Sequence, residues 1–144
     1  MAISQTMCTS FKVDLLAGSQ KFDGTQSYKM ALYTSAALLD ATTTAYSTSN
    51  EISGTGYTAG GNQLTISQAP TSGGSGTIAY MSFANVPWPS ATFGPVAGAL
   101  IYNVTQNNKA VAVLNFGVPQ TVAGNTFTVQ MPAADNGNAI IRIV

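Results

Sequence analysis

The side chains able to do chemistry in this chain of 144 residues are few and scattered: one thiol, Cys8, and five carboxylates, Asp14, Asp23, Asp40, Glu51 and Asp135. There is no histidine. The commonest general base is therefore missing, and Ser-His-Asp and Cys-His nucleophiles are excluded. A lone cysteine makes no metal cluster and no internal disulfide. Glycoside hydrolysis needs two carboxylates flanking one bond, and sequence spacing brings no two of these acids together. Asp135-Asn136-Gly137-Asn138 has the outline of a calcium loop, but one carboxylate is too few for a tight site. A turn is the better reading. Cys8 reads as a buried, inert thiol, with Lys12 the one base near enough to activate it. The chain thus offers no catalytic residue, no metal ligands and no small-molecule substrate site.

One stretch has the spacing of a cofactor motif. In "NEISGTGYTAGG", residues 50–61, Gly54, Gly56 and Ala59 stand as G-x-G-x-x-A. A dinucleotide fingerprint needs a buried strand before the glycines and a helix after them, so that the pyrophosphate meets the helix N-terminus. Here polar "AYSTSNEIS" precedes, strand-like "GGNQLTIS" follows, and no acid lies near position 75 to hold a ribose. No lysine follows Gly60 or Gly61, so the Walker pattern fails as well. No cofactor is expected. The glycines read as a folded surface loop, with Tyr57 its one large side chain, anchoring either the loop or a partner.

The elements around these residues are mostly strands. Met7, Phe11 and Leu15 recur at helical spacing within residues 7–17, with Leu16 widening the face and Gly18 beyond the end. This predicts a short N-terminal helix around 8–17, capped by Thr9 or Ser10. Strand signals follow at 27–34, 62–68, 76–86, 98–105, 109–117, 125–132 and 138–144, with one helical turn at 35–41. The runs "GALIYNVT" and "KAVAVLNFG" flank "QNN". Adjacent asparagines accept the positive φ of a tight turn, so these two strands should pair, and their two apolar faces predict a central position. "PTSGGSG", residues 70–76, reads as a long loop or hairpin tip. The whole, residues 1–144, reads as one domain. It is mainly β, an antiparallel sandwich or barrel with an N-terminal helix.

Charge is the unusual feature. Asp, Glu, Lys and Arg make 7% of the chain, five of each sign, where about 25% is ordinary. Such a surface lacks the clustered cations that nucleic acid or an anionic membrane would need. No run approaches the roughly 18 apolar residues of a membrane span. No basic start precedes an apolar run, so no signal peptide is expected, and Asn103-Val104-Thr105 is a chance sequon. Near-zero net charge favours association. Either the protein works inside an assembly, the favoured reading, or its neutral polar side chains solubilise a monomer.

"NVPWPSATFGP", residues 85–95, holds the one tryptophan, Trp88, between Pro87 and Pro89. Prolines cannot continue a central strand, so an edge or a loop is expected. Trp88 is then either core or an exposed contact residue, with Phe93 and Tyr57 as further apolar contacts. Beside Asn85 it is also the one candidate platform for a carbohydrate.

Four stretches, "MAISQTMCTSFKVDLLAG", "YKMALYTSAALLDATTTAYSTSNEISGTGYTAGG", "ALIYNVTQNNKAVAVLNFG" and "PAADNGNAIIRI", resemble a family of small structural proteins of tailed bacteriophage particles. The resemblance covers most of the chain, is most specific from Tyr28 to Gly61, and weakens across 66–96. It implies a non-enzymatic virion component: a capsid decoration (cement) protein made in the host cytoplasm and carried on the capsid surface. It further implies a jelly-roll-like β-sandwich. The implied partners are the major capsid protein lattice and the protein itself, as a dimer or trimer. A neck or tail structural protein, or a carbohydrate-binding module contacting the host surface, stays open as an alternative.

Overall fold

Asn107 and Asn108 take φ of 56° and 60°, and between them the chain reverses from one long strand into another. In the computed structural model, which describes residues 2–144, the elements in chain order are β1 (Thr6–Met7), α1 (Thr9–Leu16), β2 (Tyr28–Tyr33), β3 (Gly54–Thr55), β4 (Asn62–Gln63), β5 (Ile66–Gly73), β6 (Ile78–Phe83), β7 (Val86–Asn103), β8 (Lys109–Val129) and β9 (Ile141–Ile143). A six-stranded sheet runs β1-β8-β7-β2-β4, with β3 also on β7, and a three-stranded sheet runs β5-β6-β9. All strand pairs are antiparallel. The expected hairpin is its centre, with Gly98 opposite Asn115 and Asn103 opposite Lys109.

Both faces of that centre are covered, which is why its strands are apolar throughout. Tyr28 and Tyr102 project from opposite faces, since Lys29, the neighbour of Tyr28, is the residue opposite Tyr102. Tyr28 stacks on Phe22 at 4.9 Å and meets Phe83 of the small sheet at 5.7 Å. Tyr102 stacks on Tyr46 at 4.6 Å, beneath the segment between β2 and β4. One continuous apolar cluster joins the two sheets and the helix.

Several expected boundaries move. The strand expected at 62–68 is two strands: the chain leaves the large sheet after Gln63 and joins the small one at Ile66. Just before the first of them the chain is forced close to β2, because a Cβ on Gly61 would collide with the Met30 carbonyl, and φ there is +77°. Of the expected loop 70–76, residues to Gly73 belong to β5, and only the tip is a turn. Residues 35–41 hold a turn and a bridge from Leu39 to Ile3, but no helix. In α1, Phe11 is buried but Leu16 is 92% exposed, so Leu16 does not widen the packed face. Cys8, not Thr9 or Ser10, occupies the N-cap and offers no side-chain bond there. Gly18 does end the helix as expected, at φ +74°.

The largest correction concerns residues 85–96. They form no loop: β7 runs through them, paired to β8 from Val86–Val129 to Val96–Gln120, while on its other side only Thr92 and Phe93 meet a strand, β3, so Val86–Ala91 is an edge as the prolines predict. The prolines are accommodated where the ladder breaks. The register shifts between Trp88 and Ala91, around Pro89, and again between Phe93 and Val96, around Pro95. Pro87 stays in the ladder opposite Thr128. A further shift leaves Phe116-Gly117-Val118-Pro119 bulging out of β8, because Val96 faces Gln120 while Gly98 faces Asn115.

Candidate functional site

The glycine-rich stretch folds around a carboxylate. Glu51 Oε1 accepts hydrogen bonds from the Tyr57 hydroxyl at 2.6 Å and the Gly60 N–H at 2.7 Å, and Oε2 accepts one from Tyr46 at 2.7 Å. Tyr57 Oη in turn accepts the Leu32 N–H at 2.9 Å, and the Tyr102 hydroxyl donates to the Gly60 carbonyl at 2.7 Å. Gly54–Thr55 adds a short strand to β7, and a Cβ on Gly54 would lie 2.5 Å from the Thr92 carbonyl. The spacing of these glycines therefore serves close backbone approach. Of the two roles expected for Tyr57, the structure gives it the loop anchor. Burial, ahead of the hydrogen bond to Glu51, drives the Tyr57 and Tyr46 hydroxyls well above the usual tyrosine range. Tyr102 is pushed up to about 12, first by burial and then by the charge of Glu51. These phenols stay protonated and structural. Nothing in the sequence pairs Glu51 with Tyr46 or Tyr57, since no helical or strand period links positions 46, 51 and 57.

The remaining chemical groups are dispersed. Cys8 is fully buried, and desolvation, with the charge of Asp40 second, lifts its thiol to about 11. Asp23, Asp40 and Asp135 each sit in a tight turn. Their carboxyls are held below the usual range first by side-chain hydrogen bonds, from Thr25, Thr42 and Asn138 respectively. Asp14 pairs with Lys109 at 3.2 Å, the one salt bridge among the described residues. Beside it lies a buried polar cluster. Asn103 donates to Gln20 at 3.1 Å and to Gln26 at 2.8 Å, tying the turn after α1 to the central hairpin. Among the described residues, no three of His, Cys, Asp and Glu gather as a metal site would require.

Trp88 is 1% exposed, so the exposed contact role weighed for it does not hold. Its ring lies with Tyr57, Phe93 and Phe127 in one aromatic cluster, with centroids 5.3–6.3 Å apart. Phe93 is buried there too. The three aromatics expected to meet a partner meet each other instead. Asn85 is also engaged, its side-chain carbonyl accepting the Met131 N–H at 2.7 Å. Trp88 and Asn85 therefore present no stacking platform for a sugar.

Two surfaces remain unpartnered. The first is a seam between α1 and β9. An apolar groove of about 340 Å³ is lined there by Phe11, Leu15, Leu16, Ile143 and Val144 and flanked by Lys12 and Arg142. Leu16 and Val144 are 92% and 90% exposed. The second surface lies along the far half of β8. Strand β1 covers this edge only at Ala112 and Val113. From Gly117 to Thr128 every residue is exposed except the half-buried Val122 and Phe127. An open groove of about 420 Å³ runs along it, lined by Phe116, Val122 and Phe127 among threonines and glutamines. The first surface offers apolar area beside two cations, and the second offers apolar area and main-chain groups with no charged side chain. The chain matches no protein-family model, no curated protein and no solved structure.

Proposed function

We propose that this protein is a non-enzymatic structural component of a tailed-bacteriophage particle. It is a capsid decoration (cement) protein that sits on the capsid surface, binds the major capsid protein lattice and associates with further copies of itself. The carrying observation is the pair of open apolar surfaces on an antiparallel β body of low charge, and the resemblance of four stretches to phage structural proteins supports the same reading. The jelly-roll-like β-sandwich belongs to the same proposal. It is supported by two antiparallel sheets sharing one core and by chain crossings between them at 64–65, 84–85 and 130–140.

Attachment on this reading is apolar. Burial contributes roughly 25 cal/mol per Å² before association costs, whereas exposed ion pairs add about 0–1 kcal/mol each and are screened by salt. Purified particles provide the test. Labelling should place the protein over the whole head in many copies, and it should stay bound from low salt to about 1 M sodium chloride, where the Debye length is roughly 3 Å. Labelling confined to the neck or tail would transfer the same chemistry to that location and overturn decoration. Release in moderate salt would overturn apolar attachment.

A further inference from the structure

Apolar side chains left in water gather at one place on this surface. Among the described residues seven large apolar side chains stand exposed, and four of them, Val13, Leu16, Ile143 and Val144, lie on α1 and at the end of β9. Leu16, Ile143 and Val144 line the groove of about 340 Å³ between these elements. Val13, three residues before Leu16, is its neighbour on the helix surface. The groove is long. Past Leu15 and Ile143 it opens into a hollow of about 190 Å³ that reaches Phe22 and Met81. Past Met7 and Arg142 it opens into another of about 300 Å³ that reaches Pro132. The charged side chains on its rim are both cations, Lys12 and Arg142, two of the five in the chain. No Asp or Glu lines any of the three hollows, and neither cation forms a salt bridge among the described residues. Asp135 lies near enough to feel the charge of Arg142 but does not pair with it. Arg142 is held in place by its Nη1, which donates to the Asn136 carbonyl at 3.2 Å, and its guanidinium has further N–H donors to offer.

We propose that this groove binds an extended, acidic and apolar peptide segment of the major capsid protein, with its apolar side chains along α1 and β9 and a carboxylate beside Lys12 and Arg142. The inference rests on the decoration reading above and names the surface that meets the capsid and the chemistry it selects. Charge decides the partner. In a chain with 7% charged residues, two unpaired cations on one apolar rim favour a carboxylate and disfavour a basic segment. Shape decides its size. A small amphiphile such as a fatty acid is held in a concave site that buries about 70–90% of its surface. Leu16 and Val144, 92% and 90% exposed, leave this groove open instead. An open trough with three hollows in succession suits a chain segment whose successive side chains fill them. The apolar contacts hold the segment, and the rim charges steer it and reject wrong partners.

The test titrates capsids assembled without this protein with the purified chain. The wild type should bind. Leu16→Gln removes an exposed apolar contact without touching the core, and should weaken binding at least about fivefold at every salt concentration. Lys12→Glu combined with Arg142→Glu should weaken it at least about tenfold at low salt, and much less at about 1 M sodium chloride, where the Debye length is roughly 3 Å. Lys21→Glu combined with Lys29→Glu makes the same change of net charge away from the groove and should alter binding less than about threefold. Unchanged circular dichroism spectra are the folding control. Leu16→Cys carrying a benzophenone should cross-link to a capsid-protein peptide that contains Asp or Glu, and Cys8 is buried and takes no label. Capsid binding that survives both changes in the groove, equal losses from the two charge reversals, or a cross-link to a second copy of this chain would overturn the groove while decoration stands. A wild-type chain that binds no capsid would overturn both.

Discussion

Glu51 shows how one acid can organise a whole segment. Its carboxylate accepts two phenol O–H groups and one backbone N–H, and it closes the segment that covers one face of the large sheet. Glu51→Leu leaves the Tyr46 hydroxyl, the Tyr57 hydroxyl and the Gly60 N–H without that acceptor. Hydrogen bonds to charged groups are worth about 1.5–3 kcal/mol each, and their losses overlap within one network. We expect Glu51→Leu to cost about 2–4 kcal/mol. Glu51→Gln should cost about 1 kcal/mol, because its amide oxygen can still serve Tyr57 and Gly60 while its NH₂ donates to Tyr46. Urea denaturation of the two variants checks the order. Equal stabilities would mean that the tyrosines pack without needing the carboxylate.

At the scale of elements, the central hairpin invites the sharpest comparison. Leu114 is 9% exposed and faces Ala99 across the ladder, whereas Asn108 sits in the turn at φ 60°. Leu114→Asp buries an unpaired charge and should cost about 3–5 kcal/mol. Asn108→Gly keeps the left-handed turn and should change stability by less than about 0.5 kcal/mol. Thermal melts that reversed this order would contradict the register. This hairpin was legible in the sequence because two apolar runs and an Asn-Asn turn state the same thing locally. Helix α1 and its terminal Gly18 were legible for the same reason. The continuation of β7 through Trp88 was not, because prolines locally argue against a strand and only β8 opposite supplies the bulges that admit them. Tyr57, Trp88 and Phe93 misled for a related reason. Aromatics in glycine- and proline-rich loops read as exposed, and only the fold shows Phe127 closing the cluster around them. The groups around Glu51 lie far apart in sequence period, so no local pattern could announce that network. The open edge of β8 is a property of strand order, which a single sequence does not display.

For the whole molecule, the scarcity of charge shifts pH sensitivity from carboxylates to tyrosines. The carboxyls of Asp23, Asp40 and Asp135 are held below the usual carboxylate range, so the stability they contribute is lost as pH falls below the unfolded value of about 4. They lie in turns, Asp23 exposed and Asp40 and Asp135 half-buried, and that contribution is small. The buried tyrosines act at the other end of the scale. Tyr28, Tyr33, Tyr46, Tyr57 and Tyr102 are all raised, first by burial, with Tyr102 at about 12. Below pH about 10 these phenols are protonated in both states and add no pH dependence. Above it the unfolded chain releases protons that the folded chain retains, so stability falls as pH rises toward the folded values. For Tyr28 and Tyr33, each 1% exposed, the slope approaches about 1.4 kcal/mol per pH unit per residue. We therefore expect a melting temperature nearly flat from pH 5 to about 9, followed by a steep fall beyond about pH 10. Ionisation followed by tyrosine absorbance should appear together with unfolding and not before it. Phenol ionisation in a chain that remains folded, with no loss of melting temperature up to pH 11, would show that these rings are not sealed from water and would overturn the expectation.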